Sequence, residues 1–509
     1  YLIRSEWDLA YLSWTIYNAD EYGVTSSDLY YYDGKYFLQT KDLNFEGYYW
    51  QPIGIYYTRD ASSAPRYFSG NYDGGSCTIS GINTPPVQSD VTLSNSFSYQ
   101  GLFGYVYANN VSLTIKNLGI ENSFIQGYDY VGGIVGFAEA GEAEITINYV
   151  YNAGSVSGKT DIGGIIGRTT GKMTISNVYN TGSVSGAYFD VGGIAGRTSS
   201  TIINAYNAGS VSGEDYIGGI VGNGSSSNIN NAYNTGVITG TDYGVGGLIG
   251  IIFTHYEYTI NNSYNTGSVN GGSSVGGIVG SSNGGNISNI YNTGSINGSR
   301  EGSSEIGGIL GSSQYDNMIN TFNMGTVNGG GSIGGIIGYC NRGSFISNIY
   351  NIGVVSGNNN VGGIIGRVWL TVSSRNPVIV NLYNLGTVTG VDYVGGIIGQ
   401  IRLEVNRYSV TISNTYNTGA IVGNNSLGGI VGDISDESGG NIYINNSYFG
   451  GNCTLSDGVG SFTSVATITK VEKIDNIVSL AKTEEWYSAD AVLEDGTLVW
   501  NEEYPWDFE

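Results

Sequence analysis

One block recurs along most of this chain: an aromatic residue and Asn, then x-Gly, a short β-favouring stretch, and Gly-Gly-Ile-x-Gly. The aromatic-Asn pairs run from Tyr151-Asn152 through Tyr179-Asn180 and Tyr206-Asn207 to Tyr416-Asn417, with Tyr448-Phe449 as a degenerate last copy. The period is 27 to 33 residues. Its two halves behave differently. From each aromatic to the next Gly-Gly the distance is 12 or 13 residues, except 16 between Tyr291 and Gly307, whereas the return path varies from 14 to 21. Insertions on one side of a unit and strict register on the others are the mark of stacked coils.

Each unit carries three strand-like runs, such as Thr174–Tyr179, Ser183–Ser185 and Val191–Gly196, rich in the β-branched and aromatic residues that favour pleated structure. No run in this region keeps a 3.6-residue apolar period. The pattern predicts an all-β, right-handed parallel β-helix of triangular coils about 4.8 Å apart, in which equivalent residues form ladders. Ile134, Ile165, Ile194 and their successors to Ile430 form one apolar ladder, and Val156, Val184, Val211, Val269, Val327 and Val388 another. The Asn two places before each aromatic, such as Asn177 and Asn204, suits a left-handed corner and bonding along the axis. The Gly-Gly pair reads as a positive-φ corner that also admits close backbones.

The unit Tyr-Asn-x-Gly-x-Val-x-Gly … Gly-Gly-Ile-Val-Gly resembles the GLUG-motif repeat of bacterial secreted and surface proteins, which include adhesins and immunoglobulin-A-cleaving peptidases. The resemblance covers about residues 101 to 450, as about eleven coils. It implies a β-solenoid at the cell surface or outside it, and brings no chemistry of its own.

The ends differ from the middle. Residues 1–100 read as an N-terminal cap and first coils: Ser5-Glu6-Trp7-Asp8 is a helix start, with a helix to about Tyr17, and Tyr30–Leu38 reads as two strands around Asp33-Gly34. Residues 451–509, with Trp486, Tyr487, Trp500, Tyr504, Trp506 and Phe508, read as an aromatic cap or an interface segment. Caps are needed because an open coil presents unpaired N–H and C=O groups.

Composition narrows function by exclusion. Gly supplies 83 residues and Pro only 6, so this is not collagen, and 40% hydrophobic residues are too many for a disordered linker. The formal net charge of −23 argues against nucleic acid and anionic lipid as partners, and no apolar stretch is long enough for insertion in a membrane. Three cysteines, Cys77, Cys340 and Cys453, give no disulfide framework. The one histidine, His255, cannot build a zinc site of the His-Glu-x-x-His type or a triad that anything else supports. The absence of an initiating Met reads as a mature or trimmed product.

Two groups remain as candidate sites. Asp129, Asp161, Asp190, Asp215, Asp242 and Asp392, with Glu305, recur two to four residues before Gly-Gly. They read as a solvated acidic edge, with a weak Ca²⁺ row and a glycosidase carboxyl dyad as sharper alternatives. Tyr130, Tyr188, Phe189, Tyr216, Tyr243 and Tyr393 fall beside the same corner, where aromatic faces near carboxylates suit sugar or peptide contact, or simply shield the edge. The expectation is a non-enzymatic extracellular surface protein of the adhesin or scaffold kind, without a cofactor beyond structural Ca²⁺. Its partners would be a host or environmental glycan or protein, or copies of itself through the end caps. A self-assembling filament or surface-layer subunit and a polysaccharide-acting enzyme are the alternatives.

Overall fold

The computed structural model describes residues 1–18, 32–56, 65–86, 97–253, 258–298, 305–371, 375–404, 408–436, 440–462, 466–468 and 470–474. The fold is an all-β parallel solenoid of about thirteen turns. It divides into two compact units, Tyr1–Gly272 with Ile278–Ser281, and Ser273–Gly277 with Ser282–Glu509.

A coil of the first unit shows the construction. Its strands are Met173–Asn180, Val184–Gly186, Phe189–Gly192 and Ala195–Thr198. The third run expected from sequence is therefore divided at Gly192-Gly193, and the coil has four sides' worth of strand rather than three. Each strand bonds in parallel to its equivalent in the next coil: Ile175 opposite Ile202, Val184 opposite Val211, Val191 opposite Ile217 and Ala195 opposite Val221. The second unit repeats this, with Ile346, Ile379, Ile412 and Ile444 in one row. The isoleucine and valine ladders face inward: Ile165, Ile194 and Ile220 are fully buried, as are Ile336, Ile364 and Ile397, and Val156, Val184 and Val211 nearly so. Each such side chain contributes about 1.5–3 kcal/mol as an upper value.

The corner asparagines stand as expected. Asn177, Asn204 and Asn231 have φ of 52°, 54° and 57°, and the strand register steps over them, Ser176 pairing with Ile203 and Val178 with Ala205. Each left-handed residue bends its strand into two faces, at a steric cost that Asn tolerates better than most side chains. Their amides also link coils, Asn204 Nδ2 donating to Asn177 Oδ1 at 2.9 Å.

A second asparagine ladder lies inside. Asn180, directly after the aromatic, is fully buried; its Nδ2 donates to Gly182 O at 2.7 Å and to Asn207 Oδ1 at 2.8 Å. Asn207 repeats this to Gly209 and Asn234, and in the second unit Asn351 does so to Gly353 and Asn384. One amide thus closes its own turn and clamps the next coil. Outside it the aromatics stack, Tyr179 on Tyr206 at 5.0 Å and 7°, and Tyr350 on Tyr383 at 4.9 Å and 9°.

The Gly-Gly pairs are not at positive φ, contrary to expectation; the residue two places before each pair often is. Close approach alone requires these glycines. A Cβ on Gly193 would lie 2.1 Å from Gly219 O and 2.5 Å from the side chain of Asn207. The third glycine of Gly-Gly-Ile-x-Gly has the same need: a Cβ on Gly196 would meet the backbone of Asp161 and Ile162 in the preceding coil at 2.5 and 2.4 Å.

At the N-terminus Ser5 caps a helix over Glu6–Tyr17, its hydroxyl accepting from Asp8 N–H. Asp33-Gly34 makes a turn, Lys35 N–H donating to Tyr32 O at 3.0 Å. The strand after it, Tyr36–Gln39, joins the solenoid in parallel with Leu2–Ile3 and with Asn71–Ser80 rather than folding back as a hairpin; Tyr30 and Tyr31 lie outside the described residues. Beyond Tyr448 the sequence period ends but parallel pairing continues, Val459–Phe462 on Val431–Ile434 and Val471–Ile474 on Ser447–Gly450. Phe449 stands where the buried Asn would be, against Gly429. The tryptophans after residue 474 lie outside the described residues. The three cysteines are free, Cys340 and Cys453 buried.

The two asparagine ladders differ in weight. Replacing Asn207 by Ala strands the buried Gly209 carbonyl and both neighbouring amides, and is expected to cost at least about 2 kcal/mol. Asn204→Gly keeps the left-handed corner and loses only exposed bonds, for an expected cost of less than about 1 kcal/mol. Urea-unfolding midpoints of the two variants measure the difference.

Candidate functional site

Outside the buried ladders, the repeat leaves two adjacent rows free to vary. The first is the residue two places before Gly-Gly. In the first unit it is Tyr130, Asp161, Asp190, Tyr216 and Gly244, with φ of 58°, 57°, 63°, 59° and 72°. In the second it includes Glu305, Asn360 and Tyr393, at 74°, 52° and 58°. The second row is the residue after Gly-Gly-Ile-x-Gly. Phe137, Arg168, Arg197 and Asn223 stand in register in the first unit, and Ser312, Tyr339, Arg367, Gln400 and Asp433 in the second. Alternation along the strand sends the next residue inward, as Thr198, Cys340 and Val368 show by their burial. The third glycine holds each flank residue against the corner of the coil before it, so a flank side chain reaches two corners at once.

Arg197 does this. Its Nη2 lies 2.5 Å from Asp190 Oδ2 and its Nε 3.5 Å from Asp161 Oδ1, while Arg168 Nη1 lies 3.6 Å from Asp161 Oδ2. The two carboxyl groups are closed off, with side chains 4% and 0% exposed. Burial, then the like charge of Asp190, pushes the Asp161 carboxyl up to about 7 against the pull of Arg197 and Arg168. Burial also raises Asp190, opposed first by Arg197. Two acids and two arginines thus share a dry corner, and near neutrality the acid pair tends to hold a proton. A donor and an acceptor carboxyl side by side is the arrangement that acid–base chemistry uses, but these oxygens are shut behind the guanidinium groups.

The expectation of a solvated acidic edge therefore fails for Asp161 and Asp190, because their corner positions turn inward beside arginines that the sequence reading did not single out. Asp129, Asp215 and Asp392 sit one residue earlier and Asp242 two, on other directions of the corner. Burial raises Asp129, opposed by Lys159; Asp215 accepts from Tyr243 N–H at 2.7 Å; Asp392 accepts from Asn425 Nδ2 at 2.7 Å. Among the described residues no three acids, cysteines or histidines gather as a cation site. Glu305 is raised by burial and accepts from the Ser274 hydroxyl.

The aromatic candidates fall into separate groups. Phe189, Tyr216 and Tyr243 come together, with rings 6.4 and 6.3 Å apart, and Phe253 closes on Tyr216 at 5.4 Å. Phe253 is 54% exposed, Tyr188 49% and Phe189 40%. Tyr130 belongs elsewhere, stacked on Tyr99 at 4.7 Å and beside Phe137. Tyr188 shares Lys159 with Tyr128, and Tyr393 lies half-buried in the other unit. His255 lies outside the described residues. The arginines were missed because they sit on the fourth strand, whose separate identity the undivided third run concealed, and Phe253 because it follows that strand, Ile249–Ile251, in its coil.

No family model matches this chain, and no curated protein matches it. Among solved structures it is similar to a crystal structure, at 1.30 Å resolution, of a protein from Bacteroides ovatus provisionally named an immunoglobulin A1 protease. The two are 21% identical with a TM-score of 0.37, over 63% of this chain and 83% of that one.

The raised acid gives a pH signature. Asp161 binds its proton more tightly folded than unfolded, so its contribution is full below its unfolded pKa and is lost as pH rises from about 4 through about 7. Asp161→Asn, permanently neutral, is expected to gain melting temperature relative to the natural chain between pH 5 and pH 8. Parallel melting curves across about pH 5–8 measure it, and a constant difference would refute the buried-acid assignment.

Proposed function

We propose that this chain is an extracellular binding and scaffold solenoid, whose buried ladders give rigidity and whose corner rows present contacts to a glycan or protein outside the cell. The aromatic group of Phe189, Tyr216, Tyr243 and Phe253, in which the two phenylalanines are exposed and the two tyrosines half-buried, supports this reading most. Solvent-facing rings of this size are costly unless something covers them, and ring faces bordered by Asp215 suit the apolar faces and hydroxyls of a sugar. The resemblance of the repeat to GLUG-motif units supports a secreted or surface setting. On this reading the Asp161–Asp190 pair is structural.

A second reading, association through the cap, is favoured by the N-terminal helix. Trp7, Tyr11 and Trp14 on it are 84%, 64% and 43% exposed, and Tyr11 and Trp14 stack at 5.8 Å. Such a face fits another copy of the chain or a neighbouring subunit.

The two readings part experimentally. Glycan-array binding that drops at least about tenfold in a Tyr216→Ala, Tyr243→Ala double variant is the expected outcome of the first. Electron microscopy supports the second if the natural chain forms ordered polymers and Trp7→Ser with Tyr11→Ser does not. Discrete particles from both would leave the second without support.

A further inference from the structure

The arginines of the flank row are matched by corner acids in the first unit: Arg168 by Asp161, and Arg197 by Asp190 and Asp161. Arg367 holds the same flank place in the second unit, and its corners are Asn360 in its own coil and Ser332 in the coil before. Both are neutral. Among the described residues no carboxylate lies within ion-pair distance of Arg367; the acid that influences it from further off, Glu404, is engaged by Arg402 at 3.4 Å.

Arg367 is nonetheless half-buried and fixed. Its guanidinium lies 4.3 Å from the centre of the Trp369 ring, and Tyr339, its register partner, meets that ring edge-on at 6.2 Å. Arg367 Nε, Trp369 Nε1 and Asn360 Oδ1 are all buried without a hydrogen-bond partner. Burial weakens the hold of Arg367 on its proton, as expected for a cation lacking its anion. A desolvated, unpaired charge among unmet donors and an unmet acceptor is costly unless a ligand completes it.

We propose that Arg367 anchors a binding site for a uronic-acid sugar, the ligand's carboxylate taking the place that a corner aspartate fills beside Arg168 and Arg197. The guanidinium fork suits a planar carboxylate. The surroundings select the rest of the ligand. Asn360 Oδ1 and Ser332 offer neutral groups for hydroxyls, and Tyr339 offers ring surface, while the Gln400 amide is held by Asp433. The neighbouring cation, Arg402, is held by Glu404, and the chain carries a net charge of −23. A single carboxylate on a hydroxyl-bearing ring fits that balance better than a run of acidic side chains.

The test is calorimetric titration of the full chain at neutral pH with sodium D-galacturonate, D-galactose and sodium acetate. Galacturonate is expected to bind at least about tenfold more tightly than either of the others. Arg367→Gln should remove the discrimination. Asn360→Asp, which supplies the missing carboxylate from the chain itself, should weaken galacturonate at least about tenfold while raising the melting temperature, so a variant that folds well still tests the site. The assignment is overturned if galacturonate gives no binding, if galactose or acetate binds equally, or if Asn360→Asp leaves galacturonate unaffected. These outcomes are independent of neutral-glycan binding at Tyr216 and Tyr243, which lie in the other unit.

Discussion

The hydrogen bond from one buried asparagine amide to the next is the interaction on which the rest of this structure rests. Asn180 Nδ2 donates both to the carbonyl of Gly182 and to Asn207 Oδ1, so the same group sets the turn within a coil and the height of the coil above it. A buried amide left half-satisfied costs about 1–3 kcal/mol, so each ladder member is held by its neighbours. The spacing this imposes is also that at which the tyrosines outside stack nearly parallel, Tyr179 on Tyr206 at 7°.

The glycines follow from that spacing. Gly193 sits where the next coil's Gly219 carbonyl and the Asn207 side chain leave no room for a Cβ, and Gly196 lies against the backbone of Asp161. The close approach at Gly196 brings the flank residue beside it onto two corners. That is how Arg197 comes to bridge Asp161 and Asp190, and why Arg367, with Asn360 and Ser332 at its corners, meets no counter-charge among the described residues. The invariant part of the repeat builds the scaffold, and the two rows it leaves free carry the chemistry.

The parallel solenoid, the isoleucine and valine ladders and the left-handed asparagines were legible from spacing, because stacking makes each a strict function of register. Asn177 could be read as a corner since Asn tolerates positive φ. The buried ladder was harder to see: its asparagines follow an aromatic residue, as Asn180 follows Tyr179 and Asn323 follows Phe322, and one sequence does not say which of two recurring asparagines points inward. The Gly-Gly pair was misread as the bend itself, since glycine serves positive φ and close approach equally well. The corner acids were legible as a set but not as individuals. A shift of one or two residues turns Asp161 inward while Asp215 caps a backbone N–H, and the arginines that decide the matter are contributed by a strand the sequence pattern did not separate.

The buried asparagine clamps, rather than the outer ladders, hold coil to coil. Native-state hydrogen exchange tests it directly. Amides of the turns closed by Asn180, Asn207 and Asn234 are expected to be the slowest to exchange within their coils, and slower than those at the exposed corners of Asn177 and Asn204. Equal exchange at both positions, or faster exchange at the buried turns, would contradict it.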